Sequence, residues 1–267
     1  MWIDTHCHLD AHEFGGDSLA VARRAGEAGV SMIVIPAVDR HNFGAVAQLG
    51  GDASNASYAL GIHPICVPKA TEDDLVNLRA AVEAALGDPR FVAIGEIGLD
   101  FFIPMLTTEV MRKKQDHFMR EQLRIARDFD LPVLMHVRRS QDQVLKHVRQ
   151  IRPAGGIAHA FNGSFQQAHI YIDLGFKLGF GGAMTFTRAL QIRRLASDLP
   201  LDAIVLETDA PDISPAWVHP ARNSPEQLPA IGAVLAQLRG LTPQDVAAAT
   251  RGNALAALPR LAAILPP

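Results

Sequence analysis

Eight short apolar runs rich in β-branched residues recur along the chain, and helical segments separate them. The runs are WIDTH, VSMIVIPAV, SYALGIHP, FVAIGEIGLD, LPVLMHV, GGIAHAF, GFKLGFGG and DAIVLET. Segments between them, such as DDLVNLRAAVEAALGD, have apolar residues at the i, i+3, i+4 spacing of an amphipathic helix. A strand followed by a helix, repeated eight times, predicts an α/β protein of the (β/α)8 TIM-barrel type. The competing architecture is an open doubly wound sheet, but no GxGxxG turn follows the first run.

The length and composition agree with one such barrel. The chain has 267 residues, and these barrels typically contain about 250. Hydrophobic residues make up 48% of the chain and charged residues 20%, which is typical of a globular and not of a disordered protein. No linker divides it, so we expect a single domain over residues 1–267. From Ser224 onward we predict one barrel helix and then a C-terminal helical region that begins near Thr242 and Pro243.

Two histidines stand one residue apart in the segment IDTHCHLD, near the start of the chain. If the backbone is extended from Trp2 to His8, His6 and His8 project to one side and Cys7 projects to the other. Two adjacent imidazoles are half of a metal site, and the alternative is a chance pairing in a chain with 11 histidines. On the far side of the strand, the Cys7 thiol is expected to pack as a small hydrophobic group.

Further potential ligands fall at the ends of the predicted strands, where barrels of this type build their active sites. The residues that share this position are His6, His8, Glu96, His136, His159 and Asp209. Each one taken alone is also explained as a hydrogen-bonded core histidine or as a helix N-cap. Buried together without a cation, however, they would leave unpaired charge in a medium of low dielectric. We therefore predict that these six residues bind metal.

Six ligands exceed the three protein ligands typical of one catalytic zinc ion, which favours two divalent metal ions. Glu96 is the natural bridge, because a carboxylate has two oxygens and paired ions lie about 3.5 to 4 Å apart. Mixed imidazole and carboxylate ligation suits Zn, Mn or Fe and also admits Mg. The other histidines in polar contexts are expected to be solvated; these are His12, His41, His117, His147, His169 and His219.

Seven motifs, in this order and at this spacing, resemble those of the TatD family of metal-dependent hydrolases. They are DTHCHLD, GIHP, GEIGLDF, the glutamine Gln115, PVLMHVR, HAFNGS and ETDAP, from residue 2 to about residue 254. The resemblance implies a barrel with two divalent ions that acts as a deoxyribonuclease, generally of the exonuclease type. It also implies a ligand set for each ion and a position for His63 near the substrate phosphate. The first ion would be held by His6, His8, Glu96 and Asp209, and the second by Glu96, His136 and His159.

The chain departs from the family pattern beside the expected substrate mouth. Phe101 and Phe102 stand where many relatives have an aromatic and then a polar residue. Ala160 and Asn162 stand where relatives often have the sequence HCFSG. Neither departure changes a predicted ligand, so the resemblance supports the metal chemistry more strongly than it supports the DNA substrate.

The predicted ligands imply a hydrolytic mechanism. A bound divalent cation lowers the pKa of water from about 15.7 towards 7. We expect Asp209 to orient that water and to accept its proton, with Glu96 bridging the ions and His63 facing the phosphate. Arg138 follows His136 by two residues and so faces the same mouth of the barrel. It is predicted either to contact a phosphate or to form a structural ion pair.

Loop aromatics are a second set of candidate substrate contacts. Phe161, with Phe101, Phe102 and Trp217, is predicted either to stack on a terminal nucleotide or to cap the barrel core. The formal net charge of −3 provides no overall attraction to nucleic acid, so a polyanionic substrate requires a local basic patch. The expected substrate is a DNA end or single-stranded nucleic acid.

Two other classes of function and the cellular location also follow from the residues. One alternative is a metal-dependent amidohydrolase or esterase of small amides, lactones or phosphoesters, although many such enzymes have a carboxylated lysine in place of Glu96. The other is a non-catalytic metal-binding protein, against which the intact Asp209 argues. No membrane span, signal peptide or obligate protein partner is evident. Two cysteines, Cys7 and Cys66, are too few for a disulfide framework and favour a cytoplasmic location.

Overall fold

Eight parallel strands form one sheet in the order β1 to β8, with helices between them. The structure, a computed structural model, describes residues 1–265; the last two residues of the predicted C-terminal region, Pro266 and Pro267, lie outside the described residues. The strands are β1 (Trp2–Asp4), β2 (Val30–Pro36), β3 (Ala56–Leu60), β4 (Phe91–Asp100), β5 (Val133–Arg138), β6 (Gly156–Ala158), β7 (Phe176–Phe180) and β8 (Ile204–Leu206). The helices are α1 (Ser18–Glu27), α2 (Phe43–Asp52), α3 (Glu72–Ala85), α4 (Glu109–Asp128), α5 (Gln141–Ile151), α6 (Phe165–Asp173), α7 (Leu190–Asp198), α8 (Leu228–Arg239) and α9 (Pro243–Ala257). The prediction of a single-domain (β/α)8 barrel is confirmed.

The loops after β1 and β8 are joined where the barrel closes. The Asp209 N–H donates a hydrogen bond of 2.8 Å to the His6 carbonyl. The buried Asp4 carboxylate accepts hydrogen bonds from the Thr208 N–H at 2.9 Å and from the Thr208 hydroxyl at 2.6 Å. The segments that carry His6 and Asp209 are therefore held against each other.

The strands have an apolar core on each side, one inside the barrel and one between the strands and the helices. One fills the barrel interior with residues from the strands, among them Ile3, Met32, Val34, Ala59, Val92, Leu134, Ile157 and Val205. Ala254 and Leu258 belong to the same cluster, and Arg260 donates to the carbonyl of Phe91, the first residue of β4. The C-terminal helical region thus closes the amino-terminal end of the barrel. The other core lies between strands and helices and includes Cys7.

Helix α9 begins where the sequence predicts it. The Thr242 hydroxyl accepts a hydrogen bond of 3.1 Å from the Asp245 N–H, and Pro243 occupies the first helical turn, where its missing N–H costs nothing. No helix within residues 1–265 is both long enough and apolar enough to cross a membrane.

A bulge in β4 lies beside Glu96. Ile94 pairs with Val133 and Ile97 pairs with Met135, so β4 has one more residue than β5 over this stretch. A bulge of this kind re-aims a side chain by breaking the strict alternation of a strand. From the sequence, Glu96 was predicted at the end of its strand; this is wrong, because β4 continues to Asp100.

Candidate metal centre

Five strands place acids and histidines around Glu96 at the carboxyl end of the barrel. The six predicted ligands are here, with side-chain exposures from 0% for His6 to 20% for His8; they are His6, His8, Glu96, His136, His159 and Asp209. Strand β1 ends at Asp4, so His6 and His8 lie in the following loop and not in the strand. Their side chains nevertheless converge, with the two Nε2 atoms 3.4 Å apart.

The two oxygens of Glu96 face different groups of imidazoles. Oε2 lies 3.0 Å from Nε2 of His6 and 3.4 Å from Nε2 of His8. Oε1 lies 2.8 Å from Nδ1 of His136 and 3.5 Å from Nε2 of His159. This division is the arrangement that a carboxylate needs in order to bridge two cations.

Asp209 borders the first of these groups. Its Oδ1 atom lies 3.7 Å from Nε2 of His6 and 3.7 Å from Nε2 of His8. The backbone of Asp209 has φ 55°, in the left-handed region that aspartate tolerates better than most residues. Its carboxylate accepts no hydrogen bond from the residues that the structure describes, so both oxygens can bind a cation or a water molecule.

The chemistry of this donor set fits a divalent cation. A neutral imidazole has one N–H, and the Nδ1 atom of His6 is buried with no hydrogen-bond partner within residues 1–265. The Nε2 atoms of His6 and His8 face each other, and both face Oε2 of Glu96 and Oδ1 of Asp209. With protons alone, some of these nitrogen and oxygen lone pairs would point at one another without a hydrogen between them. A cation would accept the Nε2 and carboxylate lone pairs together, and mixed nitrogen and oxygen ligation suits Zn, Mn or Fe.

His63, in the loop after β3, reaches the second group. Its Nε2 atom lies 3.1 Å from Nδ1 of His136 and 3.5 Å from Oε1 of Glu96. The family resemblance implies a phosphate contact for this residue, and the structure places it close enough to Glu96 and His136 to share a cation with them. His159 stacks on His6 with 3.8 Å between ring centroids, which joins the two groups.

Two buried carboxylates outside the predicted set contact histidines of the centre. Oδ2 of Asp100 lies 3.3 Å from Nε2 of His136, and Oε1 of Glu207 lies 3.2 Å from Nδ1 of His159. Carboxylates in this position fix the tautomer and orientation of a metal-binding histidine. Asp100 ends β4, within GLD, and Glu207 follows β8, within ETD. An acid at the end of a predicted strand is the signal that selected Asp209, and these two residues carry it too.

Burial and neighbouring charges shift the pKa values of the centre in opposite directions. Burial lowers the pKa of His6 to about 3 and raises the pKa of Asp209 to about 6. Burial also disfavours charge on His159, but the nearby carboxylates, Asp209 first, raise its pKa to about 10. Burial likewise favours neutral Glu96, yet the surrounding histidines hold the pKa of Glu96 well below its usual range. Glu96 therefore stays ionised in a buried position, where cationic groups must balance its negative charge.

A cavity of about 830 Å³ opens above the centre. Arg138 lines it with 49% of its side chain exposed, and its Nη1 atom lies 3.8 Å from Oδ2 of Asp100. At that distance the ion pair is loose, and the guanidinium is accessible to a ligand. Of the two roles predicted for Arg138, the structure shows the ion pair, and the phosphate contact stays a prediction.

The aromatic candidates differ in exposure. Phe161 is 2% exposed, and its ring packs edge-on against Tyr171 and Phe180 at 5.9 and 6.5 Å between centroids. This packing corresponds to the core role, the second of the two predicted for it, at a position that also borders the cavity. Phe102 is 42% exposed at the cavity rim, whereas Trp217, also exposed, donates to Gln227 and does not line the cavity.

One histidine expected to be solvated is buried instead. His147 contacts Asp116 through its Nε2 atom, in the interface between α4 and α5. It shares the buried face of α5 with Val144 and Ile151, because residues three or four apart lie on one side of a helix. His12, His41, His169 and His219 are exposed, and His117 is partly exposed beside Glu72.

Comparison with known proteins identifies the family of this barrel. The family model described as TatD related DNase matches residues 3–259. The chain belongs to the TatD family. It is 39% identical over 253 residues to the uncharacterized metal-dependent hydrolase YjjV of Escherichia coli K12, covering 94% of this chain and 95% of that protein. An uncharacterized metal-dependent hydrolase of Haemophilus influenzae is 37% identical, covering 85% and 87%.

Solved structures agree with this TatD assignment. The crystal structure of Escherichia coli YJJV, a TatD homolog, superposes with a TM-score of 0.90 at 37% identity, covering 97% of this chain and 98% of that one. A TatD-family hydrolase of Entamoeba histolytica shares the fold with a TM-score of 0.82 at 19% identity, covering 96% and 97%. The TatD-family chain is a metal-dependent hydrolase.

Proposed function

We propose that this metal-dependent hydrolase is a deoxyribonuclease that cleaves phosphodiester bonds from the end of a DNA strand. The observation that carries the proposal is the division of the Glu96 oxygens between two groups of imidazoles beneath a cavity of about 830 Å³. Two divalent ions held by these residues would supply positive charge that offsets the charge developing on the oxygens of a phosphodiester during hydrolysis. The description of the matching family model, a TatD related DNase, supports the same substrate.

The proposed ligands divide into two sets that share Glu96. His6, His8 and Asp209 join Glu96 in the first set, and His136 and His159 join it in the second. When bound, a divalent cation supplies a water of lowered pKa, near 7 instead of about 15.7. Asp100 and Glu207 act behind the second set. Asp100 accepts from Nε2 of His136, Glu207 places a carboxylate 3.2 Å from Nδ1 of His159, and the other nitrogen of each ring is left free to ligate.

Other residues of this chain move the proton and hold the substrate. Asp209 accepts the proton of the attacking water through a carboxylate that has no competing hydrogen bond from residues 1–265. Arg138 offers a bidentate donor to phosphoryl oxygens from the side of the cavity, and His63 lies beside Glu96 facing the same cavity. A cytoplasmic location is part of the proposal and rests on the two free cysteines, Cys7 and Cys66.

Hydrolysis of a 3′-end-labelled single-stranded oligonucleotide tests the proposal. The protein loaded with Mn, Zn or Mg should release nucleotides, and EDTA should abolish the reaction. His136→Ala should lose the activity, while His169→Ala, which removes an exposed histidine on α6, should keep it. A parallel panel of small amides, lactones and phosphoesters tests the alternative. Turnover of the panel without any release of nucleotides would contradict the nuclease and favour a small-molecule hydrolase.

A further inference from the structure

The rim of the cavity is positively charged on one side only. Arg138 and Arg139 are the two Lys or Arg residues among the described residues that line it, and both guanidinium groups lie over the Phe102 ring, at 3.8 and 4.6 Å from its centroid. Arg138 has only the loose contact with Asp100. Arg139 has no carboxylate within 4.0 Å in the part of the chain that the structure describes, so its charge is uncompensated.

The other side of the cavity is negatively charged. Asp10 and Glu13, in the loop after β1, line it together with Asp212, in the loop after β8. Apolar surface from Ala11 and Ile213 lies among these acids. Arg222 donates to the Glu13 carbonyl and His12 lies 3.1 Å from the Glu13 carboxylate, but neither residue lines the cavity. A phosphate group placed here would therefore face the three acids, whereas a neutral nucleoside finds apolar contacts.

The two sides are opposite each other because of the strand order. Arg138 ends β5 and Phe102 follows β4, while the acids follow β1 and β8. In an eight-stranded barrel ordered β1 to β8, the β4 and β5 positions lie half a circumference from the closure between β8 and β1. The metal centre lies between the two charged sides.

From this arrangement we infer how a DNA strand lies in the cavity, an inference that rests on the proposed nuclease function. The phosphates beyond the scissile bond pass over Arg138, Arg139 and Phe102. The terminal nucleoside occupies the half lined by Asp10, Glu13 and Asp212, where the polyanionic chain cannot continue. The charge asymmetry therefore makes the site specific for a strand end, with Arg139 as a specificity-determining residue.

Arg139→Ala tests this inference, with Arg79→Ala as its matched control. Arg79 also lies over a phenylalanine ring, that of Phe129 at 5.3 Å, but outside the cavity. Binding of an unlabelled phosphorothioate hexanucleotide to the metal-loaded protein is measured by calorimetry at several salt concentrations. The slope of log K against log salt should become shallower by about 0.7 in Arg139→Ala, the value for one single-strand phosphate contact, and should not change in Arg79→Ala.

Two substrate comparisons complete the test. Arg139→Ala should lose more kcat/KM, by about fivefold, on dTpdTpdT than on dTpdT, since a single salt-dependent contact is typically worth about 1 kcal/mol. The parent should hydrolyse linear single-stranded DNA and leave circular single-stranded DNA of the same sequence intact. Equal slopes and equal substrate ratios in Arg139→Ala and Arg79→Ala would overturn the inference alone. Equal cleavage of circular and linear DNA would overturn the inference and also the end-directed cleavage in the proposed function. Failure of the parent to hydrolyse either thymidine substrate would instead contradict the proposed function, and the inference with it.

Discussion

Glu207 lies behind His159, with its Oε1 atom 3.2 Å from Nδ1, the ring nitrogen opposite the one that faces Glu96. The same oxygen accepts a hydrogen bond from the Ala160 N–H at 2.5 Å. Glu207 follows β8 and His159 follows β6, so this contact joins two strand ends that are 48 residues apart in sequence. A charged acceptor in this position raises the basicity of the nitrogen on the far side of the ring.

Glu207→Gln should weaken metal binding while leaving the fold intact. The amide oxygen can still accept from the Ala160 N–H and lie beside Nδ1 of His159, but it carries no charge. Loss of such a partner typically lowers metal affinity or activity about 10- to 100-fold. Titration of the metal-free variant with Mn or Zn measures the affinity, and circular dichroism checks the fold. An unchanged dissociation constant would show that Glu207 does not support a metal ligand.

Gly179→Ala should disturb the same pair sterically. A Cβ atom at this position would lie 2.1 Å from Oε2 of Glu207, so the carboxylate must leave its present position beside His159. We expect lower metal occupancy, measured by elemental analysis, and a lower Tm. The control is Gly252→Ala in α9, where no atom lies within 4 Å of the added Cβ and alanine favours the helix by about 1 kcal/mol. Equal metal content in the two variants would contradict the assigned role of Glu207.

The purified protein should contain up to two divalent ions per chain. Five other proposed ligands surround Glu96, and the two oxygens of Glu96 face separate groups of imidazoles. One ion would leave part of this ligand set unused. Elemental analysis of the protein, before and after dialysis against EDTA, measures the stoichiometry. Protein that contains no metal and whose hydrolytic activity does not respond to EDTA would remove the basis of the proposed site.

Asp209→Asn should reduce turnover far more than substrate binding. Asparagine keeps the shape of the side chain, but its amide is a poor proton acceptor. Loss of a general base typically lowers the rate about 10²- to 10⁴-fold, so kcat should fall by at least that factor with a modest change in KM. Metal content must be measured on the same sample, because partial loss of metal produces a similar result. A variant that retains its metals and a kcat within about tenfold of the parent would exclude Asp209 as the base and point to His63.

Cys7→Ala should retain both metal content and most of the activity. The thiol lies in the core between strands and helices and not at the mouth of the barrel, and burial raises its pKa well above the usual value. Loss of packing should cost about 1 kcal/mol of unfolding free energy, visible as a lower Tm. Stoichiometric loss of metal in this variant would mean that Cys7 faces the centre.

The barrel and most of the residues of its centre were predictable from local sequence. Strand and helix periodicities repeat within windows of about ten residues, so the (β/α)8 fold follows from the order of the segments alone. Parallel strands bring their carboxyl ends to one face, and His6, His136, His159 and Asp209 were therefore predictable as neighbours. Helix α9 was predictable for the same reason, because the signal at Thr242 and Pro243 acts within one turn.

Contacts between distant segments were decided by register and packing. The bulge in β4 arises from its pairing with β5, and it determines which groups the two Glu96 oxygens face. The burial of Phe161 and His147 likewise depends on which neighbouring elements cover them, which local hydropathy does not specify. The support of His159 by Glu207 requires β6 and β8 to adopt one relative position to within about an ångström, since hydrogen bonds weaken steeply beyond their normal length. Such distances arise only when the whole barrel closes, because no segment of the chain contains both partners.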